Sequence, residues 1–123
     1  SDLLAVLRRG DMVFIQKRPE HGLMAGLWEF PGGKCEPDES LGECLRRELR
    51  EELGVDAEIG VQILEVSHDY GDRRIRLHFL RCLLLGEPVP QLGQEMRWVT
   101  RPLLDQLEFP PADAELIQLL MER

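Results

Sequence analysis

No apolar run in these 123 residues approaches the roughly 20 needed to cross a bilayer as a helix, and no charged-then-apolar leader precedes the first strand-like segment. A membrane protein is therefore not expected, and the default address is the cytoplasm. Histidine is scarce: His21, His68 and His78 are scattered without zinc-ligand spacing, which argues against a zinc site. Cysteine is scarce too. Cys35, Cys44 and Cys82 form no CxxC pair, and their odd number suits reduced, structural thiols better than a disulfide framework. Positive charge is also short, with 15 Lys and Arg against 23 Asp and Glu and a net charge of -8. That balance argues against a protein that grips nucleic-acid phosphates through an excess of cations, and any polyanionic ligand would need compensation at its own site. The cations cluster in Arg8, Arg9, Lys17 and Arg18 and again in Arg73, Arg74 and Arg76. The default reading of both groups is a solubilising surface.

The chain is long enough for one hydrophobic core and too short for two, so residues 1–123 are read as a single domain. It has no leading Met and starts in strand-like sequence, which leaves open a domain cut from something longer. LLAVL and MVFIQK are apolar runs separated by RRGD and predict a hairpin with Gly10 in the turn. RPEHGLMAGLWEFPGGK predicts an ordered loop, because Leu23, Met24, Leu27, Trp28 and Phe30 need burial. AEIGVQILEVSHDY and RRIRLHFLRCLLL predict two strands, and in the second Ile75, Leu77 and Phe79 alternate with Arg74, Arg76 and His78. EMRWVT predicts a shorter strand and ADAELIQLLMER a closing helix with Leu116, Leu119 and Leu120 on one side. Strands and helices mixed in one layered unit give the class α/β.

Between these lies GGKCEPDESLGECLRRELREELGV. Ser40 followed by Glu43 has capping-box spacing and Gly54 suits a left-handed helix end, predicting a helix over 41–53. With Leu41 as origin and about 100° per residue, Leu45, Leu49 and Leu53 fall at about 40°, 80° and 120°, and Cys44 at about 300°. Glu48 at about 340° and Glu52 at about 20° lie inside that apolar stripe, with Glu51 at its edge, while Glu43, Arg46 and Arg50 take the solvated face. Carboxylates carried toward a core must be paired, protonated or metal-bound. Three within one turn suit a hard divalent cation, Mg²⁺ or Mn²⁺; the structural alternative is pairing with arginine, for instance Arg47 with Glu51 four residues on.

Gly33, Glu39, Arg47-Glu48-Leu49, Glu51-Glu52 and Gly54-Val55 stand at nine specified positions across residues 33–55, and this pattern resembles the Nudix box without a departure. RPEHGLMAGLWEFPGGK and FPPAD also resemble the MutT-type nucleotide pyrophosphohydrolases. The resemblance implies an α/β/α sandwich around a mixed sheet and Mg²⁺-dependent cleavage of a nucleoside diphosphate linked to another group. It implies Glu48, Glu51 and Glu52 as metal ligands, helped by the carbonyl of Gly33 or Gly32. Glu48 is the first choice for the base that activates water and Glu52 the second, with Arg47 orienting the carboxylates and Lys34 placed to contact phosphate. Arg18, Glu29, Phe30, Arg73 and Asp113 fall where enzymes that clear 8-oxo-dGTP contact the nucleotide. Those enzymes carry an asparagine where this chain has Asp113, and PPAD also resembles the CTP pyrophosphohydrolases. Asp113 has a structural reading as well, the N-cap of the last helix. Glu95 is open between a fourth carboxylate of the site and a surface charge. GLMAGLWEFPG is similar to the C-terminal 8-oxoguanine-recognition domain of adenine glycosylases, where DNA would be the partner. Otherwise the expected partner is a small nucleotide and the expected state a monomer.

Overall fold

The computed structural model describes residues 1–22 and 24–122, so the expectation for Leu23 lies outside the described residues. Strands β1 (Asp2–Arg9), β2 (Met12–Lys17), β3 (Trp28–Glu29) and β4 (Gly32–Lys34) precede helix α1 (Leu41–Leu53). Strands β5 (Ala57–Asp69), β6 (Arg74–Leu84) and β7 (Met96–Thr100) follow, then a 3-10 turn over Arg101–Gln106, another over Pro111–Asp113, and helix α2 (Ala114–Met121). The strands make one mixed sheet ordered β3-β2-β1-β6-β5, with β4 also paired to β1 and β7 to β2. Among the described residues β1 and β6 run parallel and the other strand pairs antiparallel; Leu3 stands opposite His78 and Leu7 opposite Cys82.

The sheet sends alternate residues to opposite faces, and each face meets one helix. Leu3, Ala5, Leu7 and Phe14 pack with Cys44, Leu45, Leu49 and Leu53 of α1. Val6, Val13, Ile15, Phe30 and Phe79 pack on the other side with Leu116, Ile117 and Leu120 of α2. This is the expected α/β/α arrangement. Gly10 takes a left-handed φ of 61° in the first hairpin. The segment read as a loop contributes β3 and β4, two- and three-residue strands too short for any periodicity to announce them.

Helix α1 has the predicted bounds, because both of its ends are chemically defined. Ser40 accepts from the Glu43 amide, Glu43 returns the bond to the Ser40 amide, and Gly54 closes the helix at φ 66°. Leu41 departs from the helical wheel and is more than half exposed. On α2, Ile117 rather than Leu119 completes the buried stripe; Leu119 is 41% exposed. The expectation of three reduced thiols is corrected: Cys35, just after β4, is joined to Cys44 of α1 in a disulfide, with Cα atoms 5.2 Å apart. β4 and α1 are brought together by tertiary packing, which cysteine spacing alone does not report. Cys82 is free and buried.

Candidate active site

Two cavities meet at the Arg18–Glu29 ion pair (2.7 Å). The first, of about 590 Å³, is lined by Glu20, Glu29, Glu48, Glu51, Glu52 and Glu95, opposed by Lys17 and Arg18. Such an excess of carboxylates favours a cation on electrostatic grounds. Helix spacing places Glu48 and Glu52 one turn apart on the sheet-facing side, as the wheel predicts. Glu52 is buried, Glu48 is half-buried, and Glu51 is exposed. Glu95, left open by the sequence, reaches this cavity and accepts from Arg97 at 3.0 Å.

Glu52 accepts from Gln16 Nε2 at 2.7 Å and from the Gly32 amide at 3.4 Å. Burial, reinforced by the Glu48 and Glu29 carboxylates, pushes its pKa up to about 8 against the opposing Gln16 bond. Gln16 also donates to Glu29, and Gln94 Nε2 bridges Gln16 Oε1 and the Glu52 carbonyl. Burial raises the Glu29 carboxyl too, against the Gln16 and Arg18 contacts. Neither glutamine was singled out from sequence. Gln16 did leave a signal, a polar residue on the same strand face as buried Phe14; Gln94 left none.

Arg47 holds the helix carboxylates in place. Its guanidinium donates twice to Glu39 (2.6 and 2.9 Å), to Glu48 Oε1 (3.0 Å), to Glu51 Oε1 (3.2 Å) and to the Lys34 carbonyl (3.1 Å). The hydrogen bonds from Arg47 bring the Glu39 carboxyl down to about 2. The Arg47–Glu51 pair foreseen as the structural alternative is thus present beside the carboxylate cluster. Gly33 lies against Glu48 so closely that a Cβ there would be 2.6 Å from Glu48 Oε2. The backbone of β4 therefore lies directly against the Glu48 carboxylate, which a side chain at position 33 would displace. This cradle and the all-oxygen donor set of Glu48, Glu51, Glu52 and the Gly33 carbonyl fit a hard divalent cation. Among the described residues no three acidic, His or Cys side chains already converge at ligand distance, since Arg47 takes an oxygen from Glu48 and one from Glu51.

The second cavity, of about 340 Å³, gathers Arg18, Glu29, Phe30, Arg73 and Asp113, the five residues the sequence proposed for nucleotide contact. Phe30 is only 1% exposed and stacks on Phe109 at 5.4 Å, so it forms part of the wall. Asp113 stands at the N-cap position of α2, as the structural reading has it, but its side chain makes no cap hydrogen bond. It is 3% exposed, and burial, with the Glu29 charge adding and Arg18 opposing, pushes its carboxyl up to about 7. Tyr70 and Met24 also line the cavity and were not foreseen. Tyr70 Oη accepts from the Ala112 amide at 3.2 Å and steadies the approach to Asp113. Lys34 is in neither cavity; its side chain points into a third one, shared with Arg73.

A mixed sheet between two helices, with a capped helix presenting clustered glutamates beside a glycine strand, defines a class, and the comparisons agree on which. The NUDIX domain model matches residues 3–119, and the chain belongs to the Nudix family. Within that family it is a hydrolase of the MutT type. It is 36% identical over 118 residues to a CTP pyrophosphohydrolase of Escherichia coli K12, covering 95% of this chain and 87% of that protein. It is 35% identical over 109 residues to the 8-oxo-dGTP diphosphatase of the same organism, covering 88% and 84%. The solution structure of the E. coli ORF135 protein superposes with a TM-score of 0.85 at 35% identity, over 98% of this chain and 86% of that one. Nudix hydrolases generally use divalent metal ions. Among the described residues no helix is long and apolar enough to cross a membrane.

Proposed function

We propose that this chain is a Mg²⁺-dependent hydrolase, with Mn²⁺ as a substitute, that cleaves a nucleoside triphosphate to a nucleoside monophosphate and pyrophosphate. The observation that carries the reading is the adjacency of the two cavities across Arg18 and Glu29: a carboxylate-lined one for a metal-bound polyphosphate and a largely apolar one for the base. A divalent ion bound by Glu48, Glu51, Glu52 and the Gly33 carbonyl would offset phosphate charge and acidify a water. Arg47 fixes Glu48 through Oε1 and leaves Oε2 free of an arginine donor, which suits Glu48 as proton acceptor. Glu52 is the second choice; Gln16 immobilises it. Arg18 lies where the phosphates leave the nucleoside cavity, Asp113 faces the base, and Arg73 stands at the β1–β6 margin of the same cavity.

The favoured base is an oxidised purine, as in 8-oxo-dGTP. A second reading, CTP, is supported by the CTP-hydrolysing relative and by the acidic group at 113 in place of an amide. Both readings place the enzyme in the cytoplasmic nucleotide pool. Hydrolysis in ¹⁸O-water tests the reaction: label in pyrophosphate is expected, label in the monophosphate moves attack to the α-phosphorus, and orthophosphate as sole product rules the reaction out. Glu52→Gln is expected to lower kcat by orders of magnitude with the fold intact, and excess chelator to do the same to the parent enzyme. Unchanged turnover in either case removes the metal mechanism.

A further inference from the structure

The third cavity, of about 340 Å³, is lined by Lys34, Arg73, Arg74 and Arg76, with Ser67 and a single acid, Asp2. This concentration of cations is out of character for a chain of net charge -8. It is also incompletely neutralised. Arg9, Arg46, Arg47, Arg50, Arg97 and Arg101 all form ion pairs. Among the described residues Lys34, Arg73 and Arg74 form none, and Arg76 reaches only Glu65, at 3.5 Å. All four are exposed, so water and salt screen their mutual repulsion, but their convergence on one cavity leaves a local positive potential that favours an anion there.

Its position narrows the choice of anion. The nucleoside cavity touches the carboxylate cavity on its β2–β3 side, through Arg18 and Glu29. It touches the basic cavity on its β1–β6 side, through Asp2, Arg73 and Ile75. In the sheet order β3-β2-β1-β6 these are opposite margins. With the 5′-polyphosphate among the carboxylates and the nucleoside in the cavity between, a group on the ribose 3′-oxygen, which leaves the sugar away from the 5′-carbon, can extend toward the Arg73 margin. Resting on the nucleotide reading above, we propose that the basic cavity binds a second phosphoryl group carried on the ribose, a 3′-phosphate, so that the enzyme accepts nucleotides phosphorylated at both ends. Arginine and lysine supply the charge-assisted donors such a group requires, and Ser67 adds a hydroxyl.

Calorimetric titration in Mg²⁺ buffer with nucleoside 5′-monophosphates and the matching 3′,5′-bisphosphates, as both guanosine and cytidine pairs, separates the claims. None of these carries the triphosphate that the proposed reaction consumes. The bisphosphate is expected to bind about tenfold more tightly, and Arg74→Ser, an exposed change outside the catalytic machinery, to abolish the difference while leaving monophosphate binding alone. Equal affinities in the parent protein, or a preference that survives both Arg74→Ser and Arg76→Ser, overturn the proposal. Orthophosphate alone binding in an Arg74-dependent manner, with no gain from its attachment to ribose, overturns the ribose assignment. Failure of every nucleotide to bind removes the nucleotide reading itself, a different result from equal binding.

Discussion

Asp113 is a carboxyl with a titration midpoint near the pH at which the enzyme would work. Protonated, it offers both a donor and an acceptor, as an asparagine amide does; ionised, it only accepts. The kcat/KM ratio between 8-oxo-dGTP and CTP is therefore expected to change across pH 6–8 in the parent enzyme by roughly tenfold and to stay level in Asp113→Asn. A pH-independent ratio in the parent would show that Asp113 does not read the base. The same group sets a stability slope. Its carboxyl titrates near 3.8 when unperturbed and about 7 in the fold. Between those values the unfolded chain has lost a proton that the folded chain keeps, so stability falls as pH rises from about 4 to about 7 and is flat above. The full loss is up to about 4 kcal/mol. Asp113→Asn is expected to melt higher than the parent at pH 8 and to lack this slope; equal melting temperatures would mean that the carboxyl is not held protonated.

Helix α1 shows which features a sequence can display. The carboxylates were legible because their spacing and their neighbours' spacing share one helix, where positions three and four apart are adjacent whatever the rest of the chain does. Ser40, Glu43 and Gly54 fixed its ends by equally local chemistry. Gln94, Tyr70 and the short strands β3 and β4 were illegible because only the folded sheet gives them partners. The Cys35–Cys44 bond belongs to this second kind. It spans a sequence separation of 9 and fastens β4 to α1 on the side where Arg47 also binds the Lys34 carbonyl. Closing a loop of that length in the unfolded chain is worth about 2.7 kcal/mol. A dithiol reductant is accordingly expected to lower Tm by up to about 10 °C, and Cys35→Ser to melt at the reduced value with or without reductant. Identical melting of the parent in both conditions would show that the bond does not form in solution.

Across the whole molecule, the candidate site residues lie where α1, β4 and the margins of β1, β2 and β6 approach one another, so the candidate site exists only once the sheet is assembled. The motif resemblance pointed to Glu48, Glu51, Glu52, Arg18, Glu29, Phe30, Arg73 and Asp113, which line the two cavities, and not to Gln16, Gln94, Met24 or Tyr70; Lys34 lines the basic cavity with Arg73 instead. The parallel pairing of β1 with β6 sets the order in which that assembly can happen. Asp2, Leu3 and Leu4 meet Lys34, Gly33 and Gly32 of β4 on one edge, but on the other edge Asp2 pairs opposite Leu77, a partner some seventy-five residues further along the chain. Early hairpin contacts between β1 and β2 cover only Arg8 and Arg9 opposite Val13 and Met12. During synthesis the edge of β1 that pairs with β6 therefore stays open until β6 has left the ribosome, and at ordinary elongation rates that takes several seconds or more.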